Sequence, residues 1–256
     1  MNLAELTTDA LSKRLGEGPI VILLPVGSVE PHGPHLPLGT DTIISEVVVR
    51  RALEQLGEAG IGALIAPAIP YGVTDYAQGF AGAVSIEANV LTAFVRAVVT
   101  GLLQEGFVHV CIVNNHLEPE HDSAIRAAIV GLGARASVAC PLTRRWGRTL
   151  SDEYKSGACH AGRYETSLVL AAQPGLVREA MARQLPARTV SLSRAMASGQ
   201  RTFADMGLDQ AYTGAPAEAS REEGAALIAR LAEMVTVEVT EALVALKTQS
   251  LPPSNA

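Results

Sequence analysis

Along the chain one pattern recurs: a short apolar run, a loop of glycine and polar residues, then a longer stretch with apolar residues at helical spacing. Leu3, Leu6, Ala10, Leu11 and Leu15 recur at such intervals and predict a surface helix over 3–15. The run Ile20–Val26 is apolar throughout and rich in branched residues, the composition of a strand covered on both faces. Further strands are predicted over 63–69 and 108–113, with a short one over 137–139. Helices are predicted over 42–56, 87–105, 122–132, 165–172 and 222–246, the fourth stopped by Pro174 and Gly175. Residues 70–85 read as a loop, 176–219 show no clear period, and 254–256 read as a frayed tail.

Strand, loop and helix in alternation imply parallel strands joined by helical crossovers. The fold class is therefore α/β, a three-layer α/β/α sandwich with a mainly parallel central sheet. The length of 256 residues fits one domain spanning 1–256. Ligands of such sheets sit beyond the C-terminal ends of the strands. The loops to inspect are those after Val26, Ile69, Val113 and Ala139.

Composition narrows the classes. Hydrophobic residues at 48% against charged residues at 18% supply a sizeable core and exclude a disordered chain. The net charge is −6, with no basic cluster longer than a pair, so a phosphate-backbone binder is not expected. No apolar run approaches the ~18 residues of a membrane span, and the first residues lack the apolar stretch of a signal peptide. A soluble, cytoplasmic protein with no nucleic-acid or membrane partner is expected. Three cysteines with no C-x-x-C spacing speak against a disulfide framework. Cys159 adjoins His160 in a Gly-rich loop; an inert buried thiol is preferred there to a thiolate nucleophile.

The histidines carry the chemistry. Five of the six lie in loops after predicted strands or before helices, and only His109 opens a strand. The loop after the first strand contains Glu30-Pro31-His32 and runs on to Asp41; the loop after the third contains His116-Leu117-Glu118. In extended backbone, residues two apart project to the same side, so each loop offers a carboxylate–imidazole pair at one sheet edge. Glu30, His32, Asp41, His116 and Glu118 form a ligand set without thiolate. It suits Zn²⁺ or Mn²⁺ and can hold two ions if one carboxylate bridges. Plainer readings exist for each residue alone. Asp41 can be a helix N-cap, Glu30 and His32 solvated loop residues, and His121 with Asp122 the opening of a helix. His35 can orient a ligand loop, and His109 is read as structural. G-x-S-x-G, G-x-G-x-x-G and Walker A spacings are missing, and Pro119 between His116 and His121 rules out a zincin helix.

The run Gly27-Ser28-Val29-Glu30-Pro31-His32-Gly33-Pro34-His35-Leu36-Pro37 followed by Thr40-Asp41-Thr42 resembles the opening signature of the creatininase (creatinine amidohydrolase) family. The segment His160-Ala161-Gly162-Arg163-Tyr164-Glu165-Thr166-Ser167 resembles a later signature of the same family. The resemblance implies an α/β/α fold, a binuclear metal site, hydrolysis of amide-type bonds, and a homo-oligomer, often a hexamer. It also implies that Glu30, Asp41 and His116 hold one ion and His32, Asp41 and Glu118 the other. His160 would give a proton to the leaving nitrogen, with a near-neutral pKa. Glu165 would orient that histidine or reach the metal centre. Asn115 and Leu117-Glu118 depart from the glycine-rich middle loop common in the family. Tyr76, Ala81 and Ala83 replace family residues in the second loop, and Trp146 is the only tryptophan. These departures argue against creatinine itself as substrate.

The expected chemistry is attack on the C–N bond of a small, possibly cyclic, amide by a hydroxide bridging two ions about 3.5–4 Å apart. Alternatives are a formamide deformylase, a small-peptide hydrolase, or a metal-bearing binding protein without turnover.

Overall fold

The uniformly apolar run near the start of the chain becomes the strand on which the others assemble. In a computed structural model describing residues 1–249, strand β1 (Ile20–Val26) is buried along its whole length. It lies between β2 (Gly62–Ile65) and β3 (His109–Asn114), and β4 (Ala136–Ala139) pairs with the far side of β3. The order is β2-β1-β3-β4 and every pairing is parallel, with Leu23 opposite Ile65 on one side and Cys111 on the other. The tail expected at 254–256 lies outside the described residues.

The helices, in chain order, are α1 (Thr8–Glu17), α2 (Thr40–Glu58), α3 (Ala88–Gln104), α4 (Pro119–Ala128), the short α5 (Arg144–Gly147) and α6 (Asp152–Ser156), α7 (Arg163–Ala172), the short α8 (Glu179–Ala182) and α9 (Leu192–Ala197), and α10 (Arg221–Gln249). Because successive strand residues face opposite sides, each strand serves two cores. Val21, Leu23, Cys111 and Val113 pack with α2, α7 and α10; Ile22, Leu24, Val110 and Ile112 pack with α3 and α4. The three-layer α/β/α sandwich follows directly. Helices α7 and α10 touch through Gly224, where a Cβ would lie 1.9 Å from the carbonyl oxygen of Ser167. Among the described residues no helix is long and apolar enough to cross a membrane.

Three element boundaries differ from expectation, each for a local reason. The first helix divides into a turn at Leu3–Glu5 and α1, because the Thr7 hydroxyl caps α1 by accepting from the N–H of Ala10. β2 stops at Ile65, ahead of Pro67, which has no N–H to donate to the ladder; Ile69 keeps only an isolated bridge to Val26. Helix α4 starts at Pro119, whose fixed φ suits the first helical position, and ends at Ala128, ahead of Gly131 at φ 87°. The region 176–219 forms α8, α9 and irregular chain, and it closes a small third core of Ala195, Phe203, Met206 and Leu208 over Ala77.

Candidate metal centre

The loops after β1 and β3 leave the sheet at the same edge, since β1 and β3 are parallel neighbours with Val26 opposite Asn114. The first loop turns at Gly33 (φ 63°) and returns at Leu38, whose carbonyl accepts from the N–H of Glu30. It then enters α2, where Asp41 is the second residue. The helix begins after Gly39 without a side-chain cap. Asp41 therefore does not cap it; its carboxylate turns toward His32 and His116 instead.

Asp41 joins two clusters. Its Oδ1 lies 3.2 Å from His32 Nε2 and its Oδ2 3.0 Å from His116 Nδ1. Glu30 Oε1 lies 3.3 Å from His116 Nδ1, and Glu165 Oε2 lies 3.5 Å from His32 Nε2. Glu30, Asp41 and His116 thus present one ligand atom each to a common point, and His32, Asp41 and Glu165 do the same beside it. All five side chains are buried.

Backbone carbonyls set both imidazoles. His32 Nδ1 is 3.1 Å from the Glu30 oxygen and His116 Nε2 is 2.6 Å from the Val73 oxygen, so each ring donates there and turns its other nitrogen inward. Those inward nitrogens, His32 Nε2 and His116 Nδ1, have no hydrogen-bond partner. Carboxylates are held similarly: Asp41 Oδ2 accepts from Ser28 Oγ at 2.7 Å, Glu165 Oε2 from the Ala161 N–H at 2.7 Å, and Glu30 Oε2 from the Thr74 hydroxyl. Two orphaned, buried ring nitrogens facing three oriented carboxylates fit a divalent metal cation.

The electrostatics agree. Burial disfavours the charged form of His32, but the carboxylates of Asp41, Glu165 and Glu30 outweigh it and hold the ring at about 10. His116 is likewise raised, against burial, by Glu30 and Asp41. Asp41 is held well below its usual range because, despite burial, both imidazoles face it. Burial pushes Glu165 up to about 8, partly offset by His32.

Other expected site residues fall around this centre. Glu118 lies outside both clusters: its oxygens accept from the N–H groups of Asp75 (3.0 Å) and Tyr76 (3.4 Å), and the structure seats Glu165 beside His32 and Asp41. Glu118 does line the cavity over the centre, with its carboxyl pushed up to about 7 by burial. His160 packs between His32 and Phe203, each ring 4.5 Å away, with Nε2 3.0 Å from the Pro31 oxygen and Nδ1 3.9 Å from Glu30. Its expected near-neutral pKa is corrected: burial, then the charge of His32, lowers it to about 4. Ala161 next to it sits at φ 49°, left-handed backbone that costs an L-residue roughly 1–2 kcal/mol. The strain is spent aiming its N–H at Glu165.

His35 binds Thr166 of α7 at 2.8 Å and so ties the two signature segments together. His121 opens no site of its own; it lies on α4, packs edge-on against His116 at 4.7 Å and accepts from the Val73 N–H. His109 bonds the Ala134 oxygen and Ser137, a structural role. Cys159 is buried, and burial raises its thiol well above the ordinary range, which disfavours the thiolate. Residues that sequence reasoning missed are Thr74 and the cavity wall of Leu192, Met196 and Phe203. The wall comes from the aperiodic region 176–219, where no spacing signals it.

Comparison with known proteins fits this geometry. Residues 4–239 match the creatininase profile, described as creatinine amidohydrolase. The chain is 36% identical over 185 residues to a mycofactocin precursor peptide peptidase of Mycobacterium ulcerans, covering 68% of this chain and 67% of that protein. It is 28% identical over 200 residues to the creatinine amidohydrolase of Pseudomonas putida, covering 68% and 73%. A solved creatininase superposes with a TM-score of 0.67 at 23% identity over 98% of each chain, a likeness of fold.

Proposed function

Since the chain belongs to the creatininase family, we propose that it hydrolyses a C–N amide bond using two divalent ions, Zn²⁺ or Mn²⁺. Glu30, Asp41 and His116 would hold one, and His32, Asp41 and Glu165 the other. Ions bound there supply Lewis acidity toward the amide carbonyl and a lowered pKa for water. The observation that carries the reading is Asp41, which gives one carboxylate oxygen to each cluster while Ser28 fixes its plane.

The chain's own residues do the rest. His160 donates Nε2–H to the Pro31 carbonyl, so its Nδ1, facing Glu30, rests as an acceptor. It takes a proton from the attacking water at Nδ1 and hands it to the departing nitrogen, which makes it a shuttle rather than a standing acid. Glu118, held by the N–H groups of Asp75 and Tyr76, orients that water by accepting its hydrogen bond. Leu117, Met196 and Phe203 wall the cavity and exclude bulk water.

The substrate reading extends from small cyclic amides to short peptides, the latter favoured by the 36% identity to a protein named a peptide peptidase. Metal analysis before and after chelation, paired with a panel of cyclic amides, formamides and short peptides, tests the proposal. Two ions per chain and turnover lost with chelator and regained with metal are expected. Stoichiometric metal without turnover on any of them would point to a binding protein.

A further inference from the structure

The cavity over the candidate metal centre holds only about 40 Å³, room for the reacting group and little else. Beside it a second cavity of about 520 Å³ opens to the surface, the size of an ordinary ligand pocket. Leu117, Cys159, Leu192 and Met196 line both, so the small chamber is the inner end of the large groove. The two differ in sign. Glu30, Asp41, Glu118 and Glu165 line the chamber, whereas the groove has no acidic lining residue and carries Arg144, Arg148 and Lys155.

The arginines are disposed unequally. Arg145 is drawn away to Glu241 (2.6 Å) and Glu238 (3.8 Å), and Lys155 is paired with Asp152 at 2.7 Å. Arg144 and Arg148, four positions apart on α5 and its C-cap, are exposed, and among the described residues neither guanidinium has an ion-pair or hydrogen-bond partner. Four apart on a helical turn, they lie on one face. Both line the groove, whose remaining wall includes Leu142, Leu192 and Met196.

We propose that this groove is the recognition subsite for a linear amide bearing a carboxylate. The scissile bond enters the small chamber, apolar side chains lie along Leu142, Leu192 and Met196, and the carboxylate seats on Arg144 and Arg148. The inference rests on the hydrolase reading above and narrows it: an extended, anionic, peptide-like substrate rather than a neutral ring. Guanidinium–carboxylate pairs are charge-assisted and bidentate, so loss of the carboxylate is read as loss of affinity.

The test compares acetyl-Leu-Leu with its C-terminal amide on the metal-loaded, full-length protein. Binding is followed in the His160→Gln variant, which slows turnover, by the fluorescence of Trp146, the only tryptophan, which lies on α5 between the two arginines. Turnover is followed in the wild type. Acid is expected to bind about tenfold tighter than amide and to have the higher kcat/KM by a similar factor. Arg144→Gln with Arg148→Gln should abolish that preference; either single change, at an exposed position, should reduce it. Arg14→Gln, at the opposite end of the sheet, should leave it unchanged. A preference that survives the double substitution, or acid and amide bound equally, overturns the groove assignment while leaving the hydrolase reading intact. Acid binding that depends on both arginines, with no metal bound and no amide cleaved, supports the groove and refutes the hydrolase reading.

Discussion

The ring of His116 is anchored through its Nε2–H to the carbonyl oxygen of Val73, 2.6 Å away, and this bond decides which nitrogen meets Glu30 and Asp41. The other side of the same residue is held as well: the Val73 N–H points at His121 Nδ1, 3.3 Å away, and His121 packs against His116. One short stretch of the second loop thus sets the tautomer and the plane of a candidate metal ligand. The loop is able to pass so close because residue 72 is glycine.

A Cβ at position 72 would lie 2.2 Å from His121 Nδ1 and 3.2 Å from the Gly27 oxygen. Gly72→Ala is therefore expected to push Val73 and His121 apart and release His116. Loss of such outer support typically costs ~10–100-fold in metal affinity. Competitive titration with a chromophoric chelator reads the change, and unaltered affinity would remove Val73 from the account.

Glu165 and Glu118 should behave differently. Glu165→Gln removes a carboxylate from the His32 cluster and is expected to leave one ion per chain. Glu118→Gln is expected to keep two ions and to lose about 10²-fold or more in turnover, the scale of a proton-transfer or orienting group. Metal content by elemental analysis beside kcat separates them. The reverse pattern would return Glu118 to the ligand set.

Metal binding should release protons. In the metal-free protein the surrounding carboxylates favour the protonated form of His32, held at about 10, and raise His116 above its ordinary value. A ligating imidazole is neutral, so each must lose its proton to bind, and Glu165, at about 8, contributes further. Because the carboxylates favour the protonated form of both rings, apparent affinity should rise as pH is raised above neutrality. Calorimetry in buffers of different ionisation enthalpy should find protons released on metal binding, more than one per chain; none released would contradict the arrangement.

Gly224→Ala tests the link between packing and site. A Cβ there would meet the Ser167 oxygen at 1.9 Å, backbone that cannot yield without moving α7. Overpacking of this kind costs roughly 1–3 kcal/mol, a fall in Tm of ~2–4 °C for each kcal/mol at this chain length. Since α7 carries Glu165, metal affinity should fall with it. Thermal melts with and without metal check both.

Much of this was legible in the residues. The apolar run at 20–26 fixes β1 as a doubly covered strand because only such a strand tolerates no polar side, and the parallel order follows from the helices between runs. Glu30, His32, Asp41 and His116 stand out because their loops leave neighbouring strands at one edge. What was not legible depends on distant backbone. The residues point to Glu118 as a ligand and leave Glu165 between orienting His160 and reaching the metal. The N–H groups of Asp75 and Tyr76 that Glu118 accepts, and that of Ala161 that Glu165 accepts, come from backbone no spacing announces. Phe203, stacked on His160, comes from a segment whose position is set by a small core rather than by any period.

The central claim is that Asp41 bridges two ions, with Glu165 completing the second set. Anomalous diffraction from crystals of the metal-loaded protein, recorded at the zinc and manganese edges, tests it most directly. The account predicts two peaks flanking the Asp41 carboxylate, one against Glu30 and His116 and the other against His32 and Glu165. A single peak, or a second peak bound by Glu118 with Glu165 unligated, would contradict it.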